Sequence, residues 1–300
     1  MKKKTLLIAG GSGFLGRAIT SFFQQQNWNV EWLSRRASRQ TELATKIWFW
    51  NPAELQMDSA ALASADAVLN LAGLSLADGP WNQARKLEFE KSRLQAVFTL
   101  SKFRPDRSDI HFISASATGY YGSYAHQVHT TELDMPGTDF LAQLCEKWEA
   151  AALSSGYSQI SIARIGVVLG KNEGAYPLMI KPVRWGAGAI PGSGNQGLSW
   201  IHIDDLVRGF FWLLENKLTG TFNFTAPAPV SMNHFMREVA RQYHRPIWPI
   251  HIPETLISLA LGEKSVLACK GVFAEPKALL DSGFSYAFPS IEKAICSFSS

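Results

Sequence analysis

Apolar residues fall into short blocks along the chain, separated by longer stretches in which they recur at helical spacing. Thr5–Ala9 is a compact apolar block after a basic start, the pattern of a strand buried on both faces. Beyond it, Phe14, Leu15, Ala18, Ile19, Phe22 and Phe23 line one face of a helix that runs to Gln26, where Asn27-Trp28-Asn29 ends it. Residues 30–33, 46–50, 67–71, 110–113 and 160–165 repeat the strand pattern, and residues 87–103 and 140–152 repeat the helical one. Strands that alternate with helices predict βαβ units and a parallel sheet. After Gly166 the alternation becomes irregular, and glycine and proline rise through residues 186–197. Helical patterns return over 200–215 and 230–243, and a loose tail bearing Trp and Pro runs from Pro246 onward. The expected division is a nucleotide domain over 1–165 and a smaller C-terminal α/β lobe over 166–300, with strand or helix returns to the first domain around 200–225.

The chain has 300 residues, enough for one large α/β core with an appended lobe, and 46% hydrophobic with 18% charged residues excludes a disordered chain. The net charge of +4 favours anionic ligands mildly; it is too small and too dispersed to point to nucleic acid. No apolar run approaches the roughly 18 residues of a membrane span. Cys145, Cys269 and Cys296 lie far apart with no His or Cys partners at ligand spacing, so neither a metal site nor a disulfide framework is expected, and a reducing cytoplasm is the natural setting.

The segment between the first strand and the first helix reads Gly10-Gly11-Ser12-Gly13-Phe14-Leu15-Gly16. A Gly-x-x-Gly-x-x-Gly spacing in that position is the phosphate-binding turn of a Rossmann-type, doubly wound α/β fold. The chain must turn sharply and then bring bare backbone against a pyrophosphate, with Gly10 and Gly13 leaving room, Gly16 allowing close helix packing, and the free N–H groups of the helix start facing the phosphates. Phe14 and Leu15 belong to that helix start. NAD-binding folds place an acidic residue near the end of the second strand. Here Ser34-Arg35-Arg36 stands there instead, while Glu31 falls inside the strand. The planar donor forks of Arg35 and Arg36 suit a ribose 2′-phosphate, so NADP(H) is the expected cofactor; a solvated surface pair is the alternative.

These features resemble the extended short-chain dehydrogenase/reductase superfamily. The likeness rests on the glycine loop, Asn70-Leu71-Ala72-Gly73 after the fourth strand, residues 114–122 after the fifth, and Trp200-Ile201-His202-Ile203-Asp204-Asp205. The runs Ser114-Ala115-Ser116-Ala117-Thr118-Gly119-Tyr120-Tyr121-Gly122, Trp148-Glu149, residues 164–170, Gly192-Ser193-Gly194, Leu261-Gly262-Glu263, Pro276 and Gly283-Phe284 are similar to its YfcH-type branch, which is described as nucleotide-sugar-epimerase-like. The resemblance covers essentially the whole chain. It implies a C-terminal lobe that closes over a substrate cleft, with a nucleotide sugar as one substrate class. Leu71, Ala72 and Gly73 would lie against the nicotinamide-side ribose. Ser114 and Ser116 would share one side of an extended chain, with Ser116 on the reacting oxygen, unless the run is a plain polar turn. Arg164 would line the cleft near the cofactor, with a buried ion pair to Asp204 or Asp205 as the alternative. Relatives often pair through the helices after strands four and five, which makes a homodimer an expectation.

The sequence departs from the family at the proton-transfer pair. Most such enzymes carry Tyr-x-x-x-Lys on the helix after strand five, where Lys and the oxidised nicotinamide lower the Tyr pKa. In the frame anchored on Glu149, Leu141 and Cys145 occupy the two positions; one residue earlier they are Phe140 and Leu144. Two readings follow. In one, the chain is an enzyme whose acid/base group lies elsewhere: Tyr120 beside Ser116, with Tyr121 or His202 as substitutes. In the other, it is a catalytically inactive NADP(H)-binding sensor or scaffold. Two further expectations are weaker in chemistry: Trp50 stacking on adenine, and residues 185–186 with 192–194 forming either a flap over the cleft or a tight turn.

Overall fold

The structure is a computed structural model that describes residues 3–36 and 43–298; the first residues of the basic start lie outside it. In chain order, β1 (Thr5–Ala9) leads to α1 (Phe14–Gln25), β2 (Asn29–Ser34), β3 (Lys46–Asn51), β4 (Gln56–Met57), α2 (Ala60–Ala63), β5 (Ala67–Asn70), α3 (Gln83–Lys102), β6 (His111–Ala117), β7 (His129–Thr130), α4 (Phe140–Leu153) and β8 (Gln159–Ile165). Next come β9 (Val167–Leu169), α5 (Tyr176–Arg184), β10 (Gly188–Pro191), β11 (Gly197–Leu198), β12 (Trp200–His202), α6 (Ile203–Glu215) and β13 (Gly220–Phe224). The chain ends with β14 (Val230–Ser231), α7 (Met232–Gln242), β15 (Ile247–Ile252), α8 (Glu254–Leu261), α9 (Val266–Cys269), β16 (Phe273–Ala274), α10 (Lys277–Asp281) and α11 (Ile291–Ser297).

The main sheet has the order β13-β8-β6-β5-β1-β2-β3-β4 and is parallel except for the β3–β4 pair at its edge. β1 is buried at every position because it is central, and its alternating side chains feed two cores. Leu6 and Ile8 pack with Ile19 and Phe23 of α1 and Phe210 of α6; Leu7 and Ala9 pack on the other face with Ala96 and Leu100 of α3 and Ala152 of α4. Helices thus cover both faces, the doubly wound arrangement that the continuous apolar strands imply. A separate core of Tyr176, Ile180, Trp200, Phe235, Ile291 and Ile295 holds the lobe built on α5, α7 and α11.

Two elements differ from the pattern-based reading. The fifth strand runs through Ala117 rather than ending at Ile113, because β8 continues to pair with it as far as Ala117↔Ile165. The tail after Pro246 is largely regular: β15 pairs with β10, and α11 closes the lobe core. Its elements are too short to show a period, and β15 and α11 are held by contacts distant in sequence. From β1 the chain works outward through β2 and β3, then returns to place β5 on the other side of β1. That reversal opens a crevice beyond the carboxyl ends of β1 and β5.

Candidate functional site

The glycine loop sits in that crevice. Gly10 adopts φ +90°, and its carbonyl accepts the Gly13 N–H at 3.1 Å. A Cβ on Gly10 would lie 3.2 Å from the Leu71 carbonyl, so the loops after β1 and β5 touch. A Cβ on Gly16 would lie 2.5 Å from the Gly10 oxygen and from two Gly11 backbone atoms, so the helix packs directly on the loop. At Gly13 the nearest neighbour of such an atom is the Gly10 oxygen at 3.4 Å, an ordinary contact. Protein packing therefore does not demand glycine at 13, and the space before it is what a ligand would take. α1 has no side-chain cap and no acidic residue in its first turn, which leaves its N-terminal N–H groups and dipole available to an anion. These residues fit a pyrophosphate. The Phe14 ring is wedged against Gly170 and Gly174, and Leu15 packs on the core, so both face the crevice through backbone alone. Arg17 binds the Ser12 carbonyl and Glu173, tying the loop to the segment after β9.

At the end of β2, Arg35 and Arg36 are exposed, and neither guanidinium pairs with a carboxylate among the described residues. Ser34 Oγ accepts the Arg36 N–H at 3.1 Å and shapes the turn. Glu31 is engaged elsewhere, accepting the Trp48 indole N–H at 2.5 Å. Trp32 lies beneath Gly11 and donates to Thr20 at 2.8 Å, a floor for the loop that periodicity did not reveal. Trp50 is 4% exposed and belongs to the core, which removes it as an adenine platform.

After β5, the Ala72 N–H donates to Asn70 Oδ1 at 3.2 Å, and Gly73 lies against the Arg93 side chain. Ser114 is buried with its hydroxyl turned to the Ala115 carbonyl. Ser116, on the same side of β6, donates its hydroxyl to Glu149 Oε1 at 2.6 Å. Arg164 grips the same carboxylate through Nε at 3.0 Å and Nη2 at 2.9 Å, and its Nη1 donates to the Tyr121 hydroxyl at 3.0 Å. Tyr121 in turn donates to Asn223 Oδ1 at 2.7 Å. The Tyr120 ring lies 3.4 Å from the guanidinium, a cation–π contact. The structure thus gathers Ser116, Tyr120 and Arg164 around Glu149. It pairs Arg164 with that residue rather than with Asp204 or Asp205. Asp205 instead binds Arg208 and the N–H groups of Ala287 and Phe288.

Burial pushes the Tyr121 phenol up to about 12, Arg164 only partly opposing it, so Tyr121 is a proton donor and not a base near neutral pH. Leu141 and Cys145 pack beneath Gly119, and burial with the nearby Glu149 charge raises the Cys145 thiol to about 11. Lys147 points away to Glu90 at 2.8 Å. His202 Nδ1 accepts the Asp204 N–H at 3.1 Å, capping α6, and its ring stacks between Phe288 and Phe298. Residues 192–194 form a turn pinned by Ser193, which donates to the Ala125 carbonyl at 2.7 Å. The sequence reading gave Glu149 no partner and passed over Arg93 and Asn223. The available signal was two opposite charges, Glu149 and Arg164, inside otherwise apolar elements, since such charges are almost never buried unpaired.

Comparison with known proteins places this geometry. The family model described as NAD dependent epimerase/dehydratase family matches residues 6–224. The chain belongs to that family. A second model, a domain of unknown function (DUF1731), matches residues 252–297, the region of α8 to α11. The chain is 35% identical over 295 residues to epimerase family protein YfhF of Bacillus subtilis, covering 97% of this chain and 96% of that one. It is 36% identical over 303 residues to epimerase family protein MT2273 of Mycobacterium tuberculosis, covering 98% and 97%. The crystal structure of human epimerase family protein SDR39U1 (isoform 2) with NADPH superposes with a TM-score of 0.87 at 28% identity, covering 98% of this chain and 99% of that one. Within the family fold, no helix among the described residues is long and apolar enough to cross a membrane.

Proposed function

We propose that this chain is an NADP(H)-binding protein of the short-chain dehydrogenase/reductase type, acting on a small molecule as an oxidoreductase or epimerase. The observation that carries the reading is the uncapped start of α1 beside a Gly13 that packing leaves uncrowded, at the sheet's reversal point. When bound, the dinucleotide supplies a hydride donor or acceptor. The chain's own residues do the rest. The N–H groups at the start of α1 hold the pyrophosphate, and Arg35 and Arg36 receive the 2′-phosphate. Leu71, Ala72, Gly73 and Ser114 present the ends of β5 and β6 to the nicotinamide half. Ser116 and Tyr120 orient and protonate the reacting oxygen, while Arg164 and Glu149 hold those two side chains in place. The human relative crystallised with NADPH supports the choice of NADP(H). The lobe of α5, α7 and α11 supplies the substrate side, a nucleotide sugar is the first class to screen, and α3 and α4 are the faces through which two copies would pair.

A second reading, binding without turnover, is favoured by one observation: the Ser116 proton goes to Glu149, and Leu141 and Cys145 stand where the proton-transfer pair would be. Two experiments decide. Titration by nicotinamide fluorescence is expected to show NADPH binding at least about tenfold tighter than NADH, a margin that Arg35→Ala with Arg36→Ala abolishes, since charge-assisted hydrogen bonds contribute roughly 1.5–3 kcal/mol each. Tighter NADH binding would reject the assignment. A metabolite screen for NADPH oxidation then compares wild type with Ser116→Ala and Tyr120→Phe. Full activity in both variants removes them from the site, and tight NADPH binding with no turnover selects the binding-only reading.

A further inference from the structure

Arg93, in the middle of α3, is 9% exposed. Among the described residues its one hydrogen bond runs from Nη1 to the Phe89 carbonyl of its own helix at 3.1 Å, and the guanidinium lies 5.1 Å from the Trp148 ring centroid. No carboxylate among the described residues pairs with it, and the titratable group near it is the Cys145 thiol, which burial keeps neutral. Arg164 shows the usual arrangement, a buried guanidinium donating two bonds to a carboxylate. An unpaired buried cation costs stability, and here burial lowers the guanidinium pKa from its usual value. None of its nitrogens is both sealed and partnerless, so the N–H groups left over keep some exposed surface.

Its neighbours place the side chain beside the crevice. A Cβ on Gly73 would sit 3.2 Å from Arg93 Cγ and Cζ, and the adjoining Leu71 and Ala72 touch Gly10 of the phosphate loop. Cys145, at the α4 position where Tyr-x-x-x-Lys enzymes carry their lysine, lies near enough to interact electrostatically with the guanidinium. α4 carries no cation at that position, and α3 carries one beside Gly73. We propose that Arg93 is a ligand-binding residue, whose guanidinium holds an anionic oxygen group at the inner end of the cleft. The group is either the diphosphate of the dinucleotide or a carboxylate or phosphate on the substrate. The inference rests on the dinucleotide reading above.

The test compares wild type, Arg93→Met and Arg93→Lys. Three affinities are measured: NADPH, adenosine 2′,5′-bisphosphate, and inorganic phosphate or malonate added to the NADPH-saturated protein. Binding of the bisphosphate by wild type tests the dinucleotide reading alone, since that molecule lacks the nicotinamide half. If the cofactor is the source, Arg93→Met lowers NADPH affinity at least tenfold and weakens the bisphosphate, which keeps only the adenosine-side phosphate of the diphosphate, by less. If the substrate is the source, NADPH affinity holds and the phosphate or malonate response is lost. In either case Arg93→Lys retains most of the affinity, and Arg93→Met melts at a higher temperature than wild type when ligand-free, because an unpaired buried charge is gone. Unchanged affinities for every probe in Arg93→Met, or in Arg93→Ala if the methionine variant does not fold, overturn the proposal. So does a lower melting temperature with intact binding, which assigns Arg93 to packing.

Discussion

Glu149 accepts three hydrogen bonds, one from Ser116 and two from Arg164, at 6% exposure. Removing one member of such a buried pair strands the other charge and costs roughly 3–5 kcal/mol, whereas replacing both by apolar groups of similar size costs far less. Urea melts are therefore expected to show Glu149→Leu strongly destabilised and Glu149→Leu with Arg164→Met substantially recovered; additive losses would show that the two side chains act independently. His111 makes a second residue-level prediction. Its Nε2 lies 2.7 Å from Ser161 Oγ, its Nδ1 is buried without a partner, and burial lowers its pKa from 6.5 to about 4. Between those values the unfolded chain binds a proton that the folded chain refuses. The stabilisation is thus full above about pH 6.5 and lost as pH falls toward 4, amounting to ~3 kcal/mol. His111→Gln is expected to flatten that part of the stability–pH curve, and an unaltered slope would place its origin elsewhere.

At the scale of elements, the junction of β1, the glycine loop and α1 was the most legible part of the chain. Its requirements are local: a strand's apolar run, a backbone turn at positive φ, and a helix packed against the turn. Gly16→Ala tests it, because the added methyl would meet backbone atoms of Gly10 and Gly11 at 2.5 Å and cannot be relieved by a side-chain rotation. The helix start must shift, so dinucleotide affinity is expected to fall by about tenfold or more, as small misplacements at a site do. Isothermal calorimetry with NADPH measures this, and wild-type affinity in the variant would show that the pyrophosphate does not lie on that loop. The strand β6 was less legible. Its last residues, Ser114-Ala115-Ser116-Ala117, are small and polar enough to read as a loop, and only pairing with β8 extends them as a strand.

Across the whole molecule, the lobe is tied to the main sheet through a few polar anchors. Asp205, fully buried on α6, accepts from Arg208 at 2.8 Å and from the backbone N–H groups of Ala287 and Phe288, both at 2.7 Å. Phe288 then stacks on His202 at a centroid distance of 3.8 Å, next to the helix that closes the lobe core. Asp205→Asn puts an amide donor where N–H donors already point, which costs a buried hydrogen bond worth about 1.5–3 kcal/mol. Hydrogen exchange at the Ala287 and Phe288 amides is expected to accelerate well before exchange in β1, and equal protection in the two regions would show that this anchor is dispensable.

The sequence alone determined the parallel α/β architecture, the glycine loop and the arginines after β2, because apolar periodicity and the backbone needs of a turn are short-range properties. Tertiary structure decided which buried charges meet and how the tail docks. Arg164 finds Glu149 instead of Asp204 or Asp205, Tyr121 reaches Asn223 across the sheet's edge, and Arg93 arrives beside Gly73 without a counter-charge. Each of those pairings depends on strand order and register, which bring distant segments together and which no local spacing encodes.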